Sequence, residues 1–229
     1  MGANGAFEHF LDDGVGLVNE LLDVLPRLAL LVPSEPEKID LPALFGGTLP
    51  ADGVWLEVGF GAGEHLVWQA EQRSDVGLIG AEPYEMGVAK LLTKLDEKPL
   101  ANVRIYEGDG REVVAALPDA SLDRFFLLFP DPWPKTRHHK RRFLQMAMLD
   151  ELARVMRPGA ELRFATDDKS YLPYALERLL AHPRFQWLAA GPKDWMFRPF
   201  DWPPTRYETK AIKGPPVFLR FVRTANVTA

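Results

Sequence analysis

The chain has no cysteine among its 229 residues. Disulfides and thiolate metal sites are thereby excluded, and a reducing cytoplasm is the expected setting. Long apolar runs are also missing. The most apolar early segment, residues 15–32, is interrupted by Asn19, Glu20, Asp23, Pro26 and Arg27. It is too broken for a membrane span, and residues 15–25 read instead as an amphipathic helix over part of a core. Residues 1–16 lack a basic start followed by an apolar stretch, so no secretory leader is expected. Positive charge is scarce overall: 27 Lys and Arg face 32 Asp and Glu, for a formal charge of −5. Bulk electrostatics therefore offers a nucleic acid nothing, and any such partner must be met by a local cluster. Internal repeats, low-complexity tracts and interdomain linkers are absent.

What is present is an ordinary globular balance, 47% hydrophobic and 26% charged, at a length that suits one α/β domain. Residues 1–50 read as an N-terminal extension and residues 51–229 as the domain. Within it, short apolar runs at residues 54–58, 77–81, 103–106, 122–129 and 161–165 alternate with helical patterns at 64–73, 84–95, 111–117, 140–156 and 168–181. That alternation predicts right-handed βαβ units and an open, doubly wound, mostly parallel sheet. Arg157-Pro158-Gly159 reads as a helix stop before the next strand. Residues 185–190 and 217–222 complete the strands, and between them residues 195–216 form a loop rich in proline and aromatics, long enough to suggest function.

The first strand ends in Glu57-Val58-Gly59-Phe60-Gly61-Ala62-Gly63. Glycines at a strand-to-helix turn permit unusual backbone angles and let a ligand approach the main chain, a need common to nucleotide-binding α/β proteins. Here the spacing of Gly59, Gly61 and Gly63 is G-x-G-x-G, one residue short of the dinucleotide fingerprint. Glu57, just before the first glycine, would disfavour a pyrophosphate but suits the cationic, phosphate-free S-adenosyl-L-methionine. The second strand leads into Glu82, where a carboxylate can accept hydrogen bonds from both ribose hydroxyls. After the third strand, Asp109 either caps a helix or accepts a hydrogen bond from an adenine amino group. Acids at three successive strand ends resemble the class I methyltransferase pattern.

The fourth strand runs into Pro130-Asp131-Pro132-Trp133-Pro134, where alternate prolines stiffen the loop and hold Asp131 at a ligand-binding sheet edge. Lys135, Arg137, Lys140, Arg141 and Arg142 follow, with His138 and His139 and no acid. Five cations at a helix start oppose the macrodipole, so the pattern points to a polyanion partner over a solvated face. Adjacent histidines converge poorly on one ion, and no metal site is expected.

These stretches, with Ala165-Thr166-Asp167 and Thr205-Arg206-Tyr207-Glu208, resemble the bacterial tRNA (guanine-N7)-methyltransferases over residues 50–224. The resemblance implies a seven-stranded, Rossmann-like class I fold that methylates a guanosine in the tRNA variable loop. It places Glu57, Glu82, Asp109 and Asp131 around S-adenosyl-L-methionine and assigns catalysis to Asp131. Lys135, Asp167, Thr205, Arg206, Tyr207 and Glu208 fall on the tRNA side. The chain departs from the family in carrying Glu8, Asp12 and Asp13 where a basic start is usual. It also has Thr209 and Lys210 after Glu208 where arginine and glycine are usual. Asp167 or Glu208 could read the guanine edge, although Asp167 could equally cap a helix. Trp195, Phe197, Phe200, Trp202 and Tyr207 could stack on a base or fill the core. The rivals are a methyltransferase with another substrate, a nicotinamide-dependent oxidoreductase and a non-enzymatic RNA-binding module. Nothing in the pattern chooses between a monomer and a homodimer.

Overall fold

A computed structural model describes residues 38–98, 100–210 and 213–225; the expected helix at residues 15–25 lies outside them. Elements follow in the order α1 (Leu41–Leu44), β1 (Val54–Val58), α2 (Glu64–Gln72), β2 (Gly77–Glu82), α3 (Glu85–Glu97) and β3 (Val103–Glu107). Then come α4 (Gly110–Ala116), β4 (Leu122–Leu128), a 3-10 turn (Thr136–Arg141), α5 (Met146–Val155) and β5 (Met156–Thr166). The chain closes with α6 (Tyr171–Ala181), β6 (Phe185–Trp187), α7 (Lys193–Met196), α8 (Arg206–Lys210) and β7 (Val217–Arg223).

The seven strands form one sheet in the order β3-β2-β1-β4-β5-β7-β6. The first five are parallel, and β7 runs antiparallel between β5 and β6. Every residue of β1 and β2 is buried, as expected of central parallel strands covered on both faces. Alternation sorts their side chains into two cores. Val54, Leu56 and Val58 pack with Val113, Leu149, Leu152 and Tyr171 of α4, α5 and α6. Trp55, Leu78 and Phe126 pack with Leu66, Val88 and Leu91 of α2 and α3, and with Trp202. Strand order reverses between β1 and β4, and the crevice at such a switch point is where open α/β sheets bind ligands.

Several expectations change in detail. The helix expected over residues 140–156 starts only at Met146. Arg142 turns the backbone extended, and Phe143 and Leu144 drop into the core. The cations therefore precede the helix rather than opposing its dipole. Arg157-Pro158-Gly159 does not separate helix from strand: β5 begins at Met156, and the tripeptide lies in an irregular stretch where register with β4 shifts. The last-but-one strand stops at Trp187, and the long loop holds α7 and α8. Before the expected boundary at residue 51, Ile39 and Leu41 already belong to the core, and the Ile39 N–H donates to the Ala116 carbonyl.

Candidate active site

A cavity of about 810 Å³ opens at the carboxyl ends of β1, β2 and β4, a size that suits a small-molecule ligand. Gly59 and Gly61 form its floor with φ of 75° and 59°, a region that favours glycine. A side chain at Gly59 would meet nothing within 4 Å, so the main chain there lies open to a ligand. At Gly61 a Cβ would press on the Tyr207 ring at 3.2 Å. Gly63 serves packing instead: it caps α2, and a Cβ there would strike the Leu91 side chain at 2.6 Å.

Glu82, Asp109 and Asp131 all line this cavity. The Gly61 N–H donates to Glu82 Oε2 at 2.8 Å and the Tyr84 N–H to Oε1 at 3.0 Å. Burial pushes the Glu82 carboxyl above its ordinary range; the two N–H groups oppose this, and the charges of Asp131 and Glu57 add to it. Asp109 caps α4 through the Arg111 N–H at 3.0 Å and also lines the cavity.

Glu57 does not line the large cavity. It is 3% exposed and faces an adjoining small hollow that shares Gly59, Leu128, Phe129 and Tyr207 with it. Strand alternation turns its side chain, like that of Trp55, toward α2, where His65 Nδ1 lies 2.8 Å from Glu57 Oε2.

The Asp131 loop is held in an uncommon backbone shape. Phe129 and Trp133 have φ of 51° and 43°, rare for bulky side chains. Each such residue costs about 1–3 kcal/mol and persists only when its surroundings enforce it. Arg142 is part of that enforcement. Its Nε donates to the Pro132 carbonyl at 2.7 Å, Nη2 donates to Ser170 Oγ at 3.0 Å, and the guanidinium stacks over Tyr171 and Tyr174. At 1% exposed it presents nothing to a partner. The expectation that Arg142 belongs with the polyanion-facing cations is therefore corrected: burial makes it a brace.

The remaining cations do face outward. Lys135, Arg137, Lys140 and Arg141 are exposed, and the last two line the cavity mouth. Arg141 stacks over the Trp133 ring at 4.8 Å, and His138 meets the same ring edge-on. Opposite, Arg206 and Tyr207 of α8 also line the cavity. Thr205 is buried in the small hollow, and Glu208 is tied to Arg198 at 2.9 Å. At the end of β5 the helix-capping role falls to Asp168, which accepts from the Ser170 and Tyr171 N–H groups. Burial raises the Asp168 carboxyl, but hydrogen bonds from Ser170 and Lys213 and from the backbone outweigh it and bring it to about 2. Asp167 is left for the surface, accepting from the Lys213 N–H at 3.2 Å. Of the loop aromatics, Trp202 is core at 2% exposed, whereas Phe200 is 98% exposed.

Several lining residues escaped the sequence reading: Tyr84, Met86, Arg111, Phe129 and Phe143. Tyr84 and Met86 carried a usable signal, being large apolar residues placed right after a strand-ending acid. His65 carries no such signal, and only the fold brings it to Glu57.

The sheet order has its counterpart in solved structures. An rRNA methylase from Streptococcus thermophilus superposes with a TM-score of 0.54 at 11% identity, over 77% of this chain and 90% of that one. The fold is that of Rossmann-like class I methyltransferases, and the family profile described as "Putative methyltransferase" matches residues 51–216. Closer relatives narrow the class. The tRNA (guanine-N(7)-)-methyltransferase of Rhodospirillum rubrum is 49% identical over 208 residues, 89% of this chain and 81% of the relative. That of Paramagnetospirillum magneticum is 48% identical over 216 residues, 93% of this chain and 88% of the relative. The chain belongs to the tRNA (guanine-N(7)-)-methyltransferase family.

Proposed function

We propose that this protein transfers the methyl group of S-adenosyl-L-methionine to N7 of a guanine in the variable loop of tRNA. The observation that carries the reading is the joint placement of Glu82, Asp109 and Asp131 around one cavity whose mouth bears Lys140 and Arg141. Family membership supports it, because the relatives bear that activity in their names.

The donor set fits this cofactor. It is a cation without phosphate, and the cavity offers it carboxylates, open glycine backbone and apolar walls from Met86 and Phe129. Glu82 would accept the ribose hydroxyls, Asp109 would accept the adenine amino group, and Glu57 would serve the cofactor from the adjoining small hollow. When bound, S-adenosyl-L-methionine supplies the electrophilic methyl group. Guanine N7 carries an in-plane lone pair, so no proton has to be removed before attack. The work left to the chain is to align the reactants, exclude water and stabilise the charge that develops on the purine. Asp131, fixed by the proline-framed loop, performs the last of these as an orienting and electrostatic group.

Lys135, Arg137, His138, Lys140 and Arg141 meet the RNA backbone, and Asp167 with residues 205–208 frames the guanine. In duplex RNA, N7 faces a deep and narrow groove, so the base must be presented in a loop. The domain spans residues 51–229, with Ile39 and α1 packed against its core, and it works in the cytoplasm. Among the described residues no helix is long and apolar enough to cross a membrane. The test is incubation with labelled S-adenosyl-L-methionine and unmodified tRNA transcripts, followed by mapping of the labelled base. Guanine N7 is expected, and label at another atom overturns the assignment.

A further inference from the structure

The turn that carries Gly59 and Gly61 and the segment that carries residues 199–208 meet over a buried chain of hydrogen bonds. Glu57 Oε2 lies 2.8 Å from His65 Nδ1, and His65 Nε2 lies 3.1 Å from Gln69 Nε2. The same Gln69 amide nitrogen donates to the Asp201 carbonyl at 2.9 Å. His65 and Gln69 are one turn apart on α2, and both are buried.

The polarity of this chain follows from its last member. A backbone carbonyl only accepts, so the nitrogen of the Gln69 amide, not its oxygen, must face Asp201. Its second hydrogen then points to His65 Nε2, which must accept, and the imidazole proton sits on Nδ1 and is donated to Glu57. Both hydrogens of the Gln69 amide are committed. Rotating this side chain breaks two bonds at once and leaves buried polar atoms unpaired, so the chain is either formed or broken.

Asp201 is held from its other side as well. Arg163 Nη2 donates to Asp201 Oδ2 at 2.6 Å, and Arg198 reaches both the Trp202 carbonyl and the Glu208 carboxylate. Burial pushes the Asp201 carboxyl up, and the Arg163 contact outweighs it to hold that group below its ordinary range. Trp202, the next residue, meets the His65 ring edge-on at 6.3 Å. Four residues past Asp201, Thr205 shares the small hollow with Glu57, His65 and Tyr207.

We infer that His65 and Gln69 are positioning residues that couple the two ligands of the reaction. They tie Glu57, on the cofactor side, to Asp201, at the root of the segment that frames the guanine. Binding on one side then favours the seated arrangement on the other. The inference rests on the function proposed above for the same site. Coupling of this kind is reciprocal, so each ligand must tighten the other by the same factor.

The experiment is a thermodynamic cycle with S-adenosylhomocysteine and an unmodified tRNA transcript, on the full chain and on Gln69→Met, which keeps side-chain length but cannot donate. In the unaltered protein, saturating S-adenosylhomocysteine is expected to tighten tRNA binding at least about fivefold, and in Gln69→Met the factor falls to within about twofold of one. A side chain that merely supports the fold would lower the melting temperature and both affinities without moving the factor, and that result overturns the inference. So does a factor of one in the unaltered protein, an outcome that leaves methyl transfer to tRNA intact and so separates this inference from the functional one. If Gln69→Met does not fold, long-range ¹H–¹⁵N spectra of the unaltered protein decide: His65 is expected as the Nδ1–H tautomer, and a proton on Nε2 breaks the chain.

Discussion

Replacing Arg142 separates a brace from an RNA contact. Its guanidinium reaches the Pro132 carbonyl at 2.7 Å and the Ser170 carbonyl and hydroxyl at 3.3 and 3.0 Å, while lying over two tyrosine rings. A hydrogen bond from a charged donor contributes about 1.5–3 kcal/mol, and a desolvated cation–π contact about 2. These terms are not additive, so Arg142→Met is expected to destabilise the fold by about 2–4 kcal/mol. Arg142→Lys keeps one bond and the charge, and about 1–2 kcal/mol is expected. The consequence for catalysis comes from the loop. The lost bond to Pro132 is comparable to the strain held at Phe129 or Trp133, so the backbone beside Asp131 relaxes away from its working geometry. Misalignment on that scale lowers kcat about tenfold to a hundredfold. The assay pairs urea denaturation with initial rates of methyl transfer from labelled donor to a tRNA transcript. It is completed by tRNA affinity measured across a salt series. In Arg142→Met, kcat should fall while the salt slope stays unchanged. A slope lower by about 0.7–0.9, the signature of one lost phosphate contact, with normal kcat and stability, would refute the reasoning.

Asp131→Asn should lower kcat about a hundredfold or more while S-adenosylhomocysteine affinity changes only about threefold, read by calorimetry beside single-turnover rates; equal losses in both would defeat the division of roles. Lys140→Gln with Arg141→Gln should weaken tRNA binding and reduce its salt slope by about one per residue. An unaltered slope would make the pair a solvated face. Glu82 gives a pH test. Its folded carboxyl is raised by burial, so its stability contribution is present below the unfolded value and is lost as pH rises through the folded one. Cofactor affinity moves the other way, because ribose recognition requires the carboxylate. S-adenosylhomocysteine binding should therefore be steady at high pH and weaken about tenfold per unit below the raised value. A calorimetric profile that stays flat from high pH down through the ordinary carboxylate range would count against Glu82 as the ribose acceptor.

Much of this site was legible because it depends on local grammar. Strand-end acids, the glycine turn and the alternate prolines each act within a few residues, so Glu82, Asp109 and Asp131 could be assigned to one sheet edge from spacing alone. The mostly parallel character of the sheet followed from the alternation of strands and helices. Where local grammar misled, long-range burial was responsible. Arg142 shares its sequence context with Arg141, but only packing against Ser170, Tyr171 and Tyr174 draws one inward while the other stays exposed. Phe143 and Leu144, drawn into the core, delay α5 past the cations. Asp167 and Asp168 are neighbours whose roles are divided by Lys213, 45 residues from Asp168 in the chain.

Residue order by itself determined the class of fold, the cofactor edge and the aspartate at its centre, since these follow from backbone periodicity and short-range sterics. Tertiary structure alone decided which cations remain free and which carboxylate turns toward α2. It also decided how residue 69 comes to touch residue 201. Those outcomes depend on which distant surfaces exclude water together, and no local pattern in the chain carries that information.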